Sequence, residues 1–210
     1  MKCPPSGGHF LILAKVAFAQ AVAKLATMST FPNRTKTALV IIDVQNGVVE
    51  SAHKRDSVIA NINVALDKAR GAGVPVIWVQ HSDQEMPIGS EAWQIVPELV
   101  PTNGEDKVQK TFRSSFVETN LEQILADGQI GHLVICGAET NNCVRHTSHA
   151  ALEAGYDVTL LADAHTTNGY TWNGHTIDPQ NVIDEQNDNL GHYDLPGRQS
   201  RAIGVAGLAF

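Results

Sequence analysis

The run Thr37-Ala38-Leu39-Val40-Ile41-Ile42 limits the possible folds more than any other stretch of the chain. It has no polar break after Thr37, and it stops at Asp43. A strand with one face in water alternates apolar and polar residues. A continuous apolar run belongs to a strand covered on both faces, which means a parallel sheet with helices above and below it. The same pattern returns at Val76-Ile77-Trp78-Val79, at residues 132–136 and at residues 156–162, and more weakly at residues 107–110 and 201–205. Between the first two runs, Val58, Ile59, Ile62, Ala65, Leu66 and Ala69 recur at helical spacing. Asp56 or Ser57 is the expected cap of that helix, and Gly71 or Gly73 its stop. Helices are also expected over residues 119–126, 141–154 and 178–190, with a short one over 90–99 inside an otherwise irregular stretch. This alternation predicts a three-layer α/β/α domain with a mostly parallel central sheet.

Composition narrows the function. Hydrophobic residues make up 43% of the chain and charged residues 18%, so one globular core is affordable. Lys and Arg number 15 against 22 Asp and Glu, a net charge of -7 with no basic cluster, so no nucleic-acid partner is expected. Cys3, Cys136 and Cys143 form no C-x-x-C pair and no disulfide framework, which points to a reducing, cytoplasmic compartment. Residues 10–26 are apolar but broken by Lys15, Gln20 and Lys24, too short and interrupted to span a membrane. They share features with a signal peptide, although Lys15 falls inside the apolar core. They also suit an amphipathic helix, or an extension upstream of a start at Met28. Residues 1–36 are read as an N-terminal extension, helical or dispensable, and 37–210 as the domain.

Ligands of open parallel sheets bind beyond the carboxyl ends of the strands. The residues there include Asp43 and Gln45, then His81 and Asp83, then Lys110, then Glu139, Thr140 and Cys143, and finally Asp163 and His165. An acid, a lysine and a thiol from three strands have the composition of a nucleophilic site. Cys143 also falls near the start of an expected helix, where free N–H groups and the helix dipole favour thiolate. Singly, each residue has a plainer role: Asp43 as a turn cap, Lys110 as a surface charge, Cys143 as a small core residue.

Val40-Ile41-Ile42-Asp43-Val44-Gln45, Lys110-Thr111-Phe112-Arg113-Ser114-Ser115-Phe116, Gly137-Ala138-Glu139-Thr140-Asn141-Asn142-Cys143 and Asp163-Ala164-His165-Thr166-Thr167 resemble the isochorismatase-like cysteine hydrolases. The resemblance runs over residues 37–168, and residues 89–99 are most similar to the streptothricin-hydrolase branch. It implies a triad of Asp43, Lys110 and Cys143, with backbone N–H groups of Glu139 and Cys143 as oxyanion donors beside a cis Ala138–Glu139 peptide. It implies a cysteine hydrolase cleaving a C–N bond of a small amide or lactam through a thioester. The alternatives are an isochorismatase-type vinyl-ether hydrolase, which needs only the acid, and a redox-responsive or ligand-binding protein on the same fold. Nicotinamidases of this family hold a metal through an Asp-x-His motif; here His81 and Asp83 stand in reversed order, so neither metal nor cofactor is expected. Gln45, His81, Trp93, Phe112 and His165 are the expected pocket residues. Glu139 departs from the small or apolar residue more usual in the family. The family habit of assembly predicts a homo-oligomer acting on a small molecule away from any membrane.

Overall fold

The computed structural model describes residues 29–210 except Asp194. The expectations for residues 1–28, Cys3 included, lie outside the described residues. The opening apolar run forms β1 (Lys36–Ile42), whose last five residues are buried. After a short helical turn, α1 (Asn46–Val49), the chain continues through α2 (Arg55–Gly71), β2 (Val76–His81), β3 (Asp106–Lys110), α3 (Leu121–Asp127) and β4 (Ile130–Ala138). A π-helical turn over Thr140–Val144 leads into α4 (Arg145–Ala154), followed by β5 (Asp157–Thr166), the hairpin strands β6 (Tyr170–Trp172) and β7 (His175–Ile177), α5 (Pro179–Gly191) and β8 (Ser200–Ile203). Six strands pair in the order β3-β2-β1-β4-β5-β8, every pairing parallel.

The continuous apolar runs are explained by how each strand divides its side chains. Leu39 and Ile41 of β1 enter one core with Ile62 and Leu66 of α2, while Ala38, Val40 and Ile42 enter a second core with Leu121, Leu125 and Leu152. A period of two therefore serves two cores, and no position is left for a polar residue. The expected apolar face of α2 is buried at all six positions named from its spacing. Its cap differs. Lys54, in a left-handed conformation, precedes the helix without a side-chain cap bond, and Asp56 stands in the first turn, where its charge suits the helix dipole.

The chain departs from expectation in three places. No helix forms over residues 90–99, because much of that backbone bonds to the segment after β1 and only isolated turns close within it. Gly47 N–H donates to Ala92 O (2.9 Å), Asn46 N–H to Gln94 O (2.9 Å) and Val96 N–H to Val44 O (3.1 Å). The helix expected from Asn141 begins as the π turn, with Asn142 at φ -115, ψ -105, and becomes α-helical only at Arg145. The β6–β7 hairpin was not anticipated. Its Asn173-Gly174 turn has positive φ at both residues, the signature of a tight two-residue hairpin.

Strand order reverses between β1 and β4, the place where a parallel sheet opens a crevice at its carboxyl edge. There Ile42 pairs with Gly137, and a Cβ on Gly137 would lie 2.1 Å from Ile42 O, at φ +118. Gly137→Ala is expected to cost on the order of 3 kcal/mol in chemical denaturation. Gly71→Ala, with nothing within 4 Å of its added Cβ, is the near-neutral control. Further from the crevice, half-buried His132 stands between the hydroxyls of Thr37 (Nδ1, 3.2 Å) and Thr159 (Nε2, 2.8 Å). Burial, with the Arg201 charge, pushes its pKa down to about 4. The unfolded chain therefore binds the proton more readily. Stability is fully present above about pH 6.5 and falls by roughly 3 kcal/mol as pH drops through about 4. Thermal unfolding across that window should show the loss in the native chain and a flatter profile in His132→Asn.

Candidate functional site

Three strand ends bring Asp43, Lys110 and Cys143 together. Asp43 follows β1 directly, in the left-handed region at φ 49, with its N–H donating to Val79 O of β2 (2.9 Å). Lys110 is the last residue of β3, and its side chain shares the buried face of Val108. Cys143 stands in the π turn after β4. The Lys110 ammonium lies 2.6 Å from Asp43 Oδ2 and donates to Cys143 Sγ at 3.2 Å. Asp43 is 1% exposed and Lys110 2%. One cation thus touches both the acid and the sulfur, away from water.

The electrostatics follow from that burial. Loss of water pushes the Asp43 carboxyl above the usual carboxylate range, while the Lys110 charge and hydrogen bonds from Lys110 and Cys143 pull it back. Burial, reinforced by the neighbouring Asp43 charge, pushes the Cys143 thiol up to about 12, against the pull of Lys110. This corrects the expectation of a thiolate favoured by a helix terminus. Cys143 packs against the second core beside a carboxylate, and both effects outweigh the turn's N–H groups.

The Ala138–Glu139 peptide is cis. Beyond it, each of the next side chains is anchored separately. Asn142 Nδ2 donates to Glu139 Oε2 (2.7 Å) and Asn168 Nδ2 to Glu139 Oε1 (3.0 Å). Thr140 Oγ1 bonds His165 Nδ1 (2.8 Å), and Thr167 Oγ1 donates to Asn141 Oδ1 (2.7 Å). The Glu139 carbonyl accepts the N–H groups of Asn142 (3.1 Å) and Val144 (3.2 Å).

A cavity of about 210 Å³ opens over this set, bordered by Asp43, His81 and Cys143. Val48, Arg113, Glu139 and Asn142 complete its lining. A cavity of about 380 Å³ lies at the opposite edge of the sheet, between Arg34, His132 and Arg201, but it holds neither thiol nor carboxylate–lysine pair. Of the five expected pocket residues, His81 borders the 210 Å³ cavity and four do not. Gln45 is fully buried behind it, donating to the carbonyls of His81 (2.9 Å) and Trp93 (2.8 Å) and accepting from His81 N–H (2.8 Å). Trp93 is held through that carbonyl at the back of the loop. Phe112 points to solvent, 46% exposed. His165 is buried between Thr140 and Asn187 Oδ1 (2.9 Å), so it braces the turn. Val48 and Arg113 escaped notice. Arg113 stands three residues past Lys110, and that spacing was the available signal. His81 Nε2 meets Asp83 Oδ2 at 3.3 Å, and Asp83 Oδ1 accepts from the N–H groups of Glu85 (2.9 Å) and Met86 (2.7 Å), organising a turn. Among the described residues no group of three His, Cys, Asp or Glu is clustered as a metal would require, and no helix is long and apolar enough to cross a membrane.

Known proteins share this fold. The sequence profile of the isochorismatase domain matches residues 37–177, a span that contains Asp43, Lys110 and Cys143. The secreted isochorismatase effector Isc1 of Verticillium dahliae is 33% identical over 138 residues, covering 61% of this chain and 71% of that protein. Streptothricin hydrolase of Streptomyces noursei is 31% identical over 140 residues, 64% of this chain and 56% of that enzyme. A probable inactive nicotinamidase of Arabidopsis thaliana is 32% identical over 178 residues, 72% and 88% of the two chains. The crystal structure of an isochorismatase from Pseudomonas putida superposes with a TM-score of 0.76 at 26% identity, over 82% of this chain and 89% of that one. With its parallel sheet, its crevice between β1 and β4 and this match over most of the domain, the chain belongs to the isochorismatase family of hydrolases.

Proposed function

We propose that the protein is a cysteine hydrolase that cleaves the C–N bond of a small amide or lactam through a thioester. The observation that carries this reading is the position of Lys110 Nζ, 2.6 Å from Asp43 Oδ2 and 3.2 Å from Cys143 Sγ. At rest the set holds a carboxylate, an ammonium and a thiol, with no net charge. As Cys143 Sγ attacks the carbonyl carbon, its proton passes to Asp43, so the negative charge moves from the carboxylate to the carbonyl oxygen and the total charge does not change. The carbonyl electrons form an oxyanion, assigned here to the N–H groups of Glu139 and Cys143. Collapse breaks the C–N bond, and Asp43 returns its proton to the departing nitrogen. Water then attacks the thioester, gives a proton to Asp43, and expels the sulfur, which recovers that proton. The sum is amide plus water to acid plus amine. A thiol raised to about 12 fits a nucleophile deprotonated only as it attacks.

The vinyl-ether reading keeps support from the relatives named as isochorismatases. The redox reading loses Cys136 as its resolving partner: Cys136 is fully buried in the α2-side core and Cys143 packs against the core on the other face of the sheet.

Cys143→Ala should lower amide hydrolysis by about 10³-fold or more, and rapid acid quench with mass spectrometry should find an acyl adduct on Cys143 in the native enzyme. Cleavage of isochorismate that survives Cys143→Ala but not Asp43→Ala would favour the vinyl-ether reading. Thiolate absorbance followed against pH should show Cys143 titrating near 12 in the native protein. In Asp43→Asn the titration should move down, because the carboxylate charge that opposes thiolate is gone while Lys110 remains. Turnover should be lost in that variant despite its more acidic thiol.

A further inference from the structure

The residue that separates this site from a plain amide cleft is Glu139. Three cavities, of about 210, 410 and 490 Å³, meet at the carboxyl edge of the sheet, and Glu139 alone borders all three. The innermost holds Asp43 and Cys143. A substrate too large for it extends past Glu139 into one of the outer cavities. The Glu139 carboxylate is fixed by two neutral donors, Asn142 Nδ2 on one oxygen and Asn168 Nδ2 on the other. They fix its orientation and leave its charge in place. Among the described residues no cation lies within ion-pair distance of it. Of the arginines bordering these cavities, Arg145 pairs with Glu185 and bonds Gln186, while Arg113 makes no ion pair among the described residues. His81, bordering two of the cavities, faces Asp83. Each carboxylate oxygen keeps acceptor capacity for a further donor beyond its amide partner.

We infer that the substrate is an amide carrying an ammonium or similarly compact cation, and that the Glu139 carboxylate is the specificity-determining group that receives it. The inference rests on the amide-hydrolase reading for its chemistry, while the charge preference is a property of the cavity itself. A carboxylate held ready by neutral donors and presented where the cavities meet binds a cation without first reorganising. Arg113, bordering the innermost cavity and the 490 Å³ cavity, acts against that preference.

The test has two arms. Ammonia release from β-alaninamide, from the uncharged isostere butanamide and from succinamate reads charge preference through turnover. Labelling of Cys143 by aminoethyl, methyl and sulfonatoethyl methanethiosulfonate, followed by mass spectrometry, reads it without turnover. In the native protein kcat/KM for β-alaninamide should exceed that for butanamide, and the cationic reagent should label faster than the anionic one. Glu139→Gln should lower both ratios by about tenfold, Glu139→Asp should restore part of the loss, and Arg113→Gln should raise both. Opposite signs from two single variants cannot come from misfolding. Equal effects of Glu139→Gln on charged and uncharged probes would overturn the inference, leaving Glu139 as a brace for Asn142 and Asn168. Turnover of amides without discrimination between β-alaninamide and butanamide would also overturn it and leave the hydrolase reading standing. Charge-selective labelling with no amide turned over would overturn the hydrolase reading while supporting the role of Glu139.

Discussion

A lysine ammonium with no exposed side-chain surface, 2.6 Å from an equally buried carboxylate, is the interaction on which the carboxyl edge of this sheet depends. Taking both charges out of water costs several kcal/mol each, and only close pairing offsets it. The pair therefore exists only where strand order places it. Lys110 ends the edge strand β3, two strands from β1 and in register with His81 at the end of β2, and its ammonium reaches Asp43 and Cys143. Removing either partner leaves the other charge buried and unmatched, so the pair ties the edge strand to the centre of the sheet.

Much of this was legible in the sequence. Continuous apolar runs named the buried strands, and the six apolar positions of α2 were read from spacing alone. Lys110 was visible because it falls at the end of the short strand expected over residues 107–110 and within a stretch that resembles the family. What stayed hidden depended on contacts between distant segments. No local pattern shows that residues 90–99 give their backbone bonds to the stretch after Asp43 rather than to a helix. Gln45 reads as a pocket residue until its amide is found holding two carbonyls behind the pocket. His165 reads as a pocket histidine until Thr140 and Asn187 occupy both its nitrogens. The Asn173-Gly174 turn was a local signal present and unread.

The π turn after β4 concentrates several tasks in five residues. Its side chains are held by β5, by the segment after β5 and, through His165, by α5, so the thiol and the peptide beside it are fixed from outside the turn. A rigid frame of this kind lets the residue that leads into the turn vary in chemistry while the backbone keeps its course. Glu139 occupies that variable place.

The division of β1 between two cores has a further consequence. Because alternate residues feed opposite faces, a slip of one residue against β4 would exchange the contents of both cores and carry Asp43 away from Lys110. The site thus acts as a register gauge for the sheet. A chain that settles one step out of alignment loses the nucleophilic assembly together with its packing, so a misaligned sheet is silent rather than wrongly active.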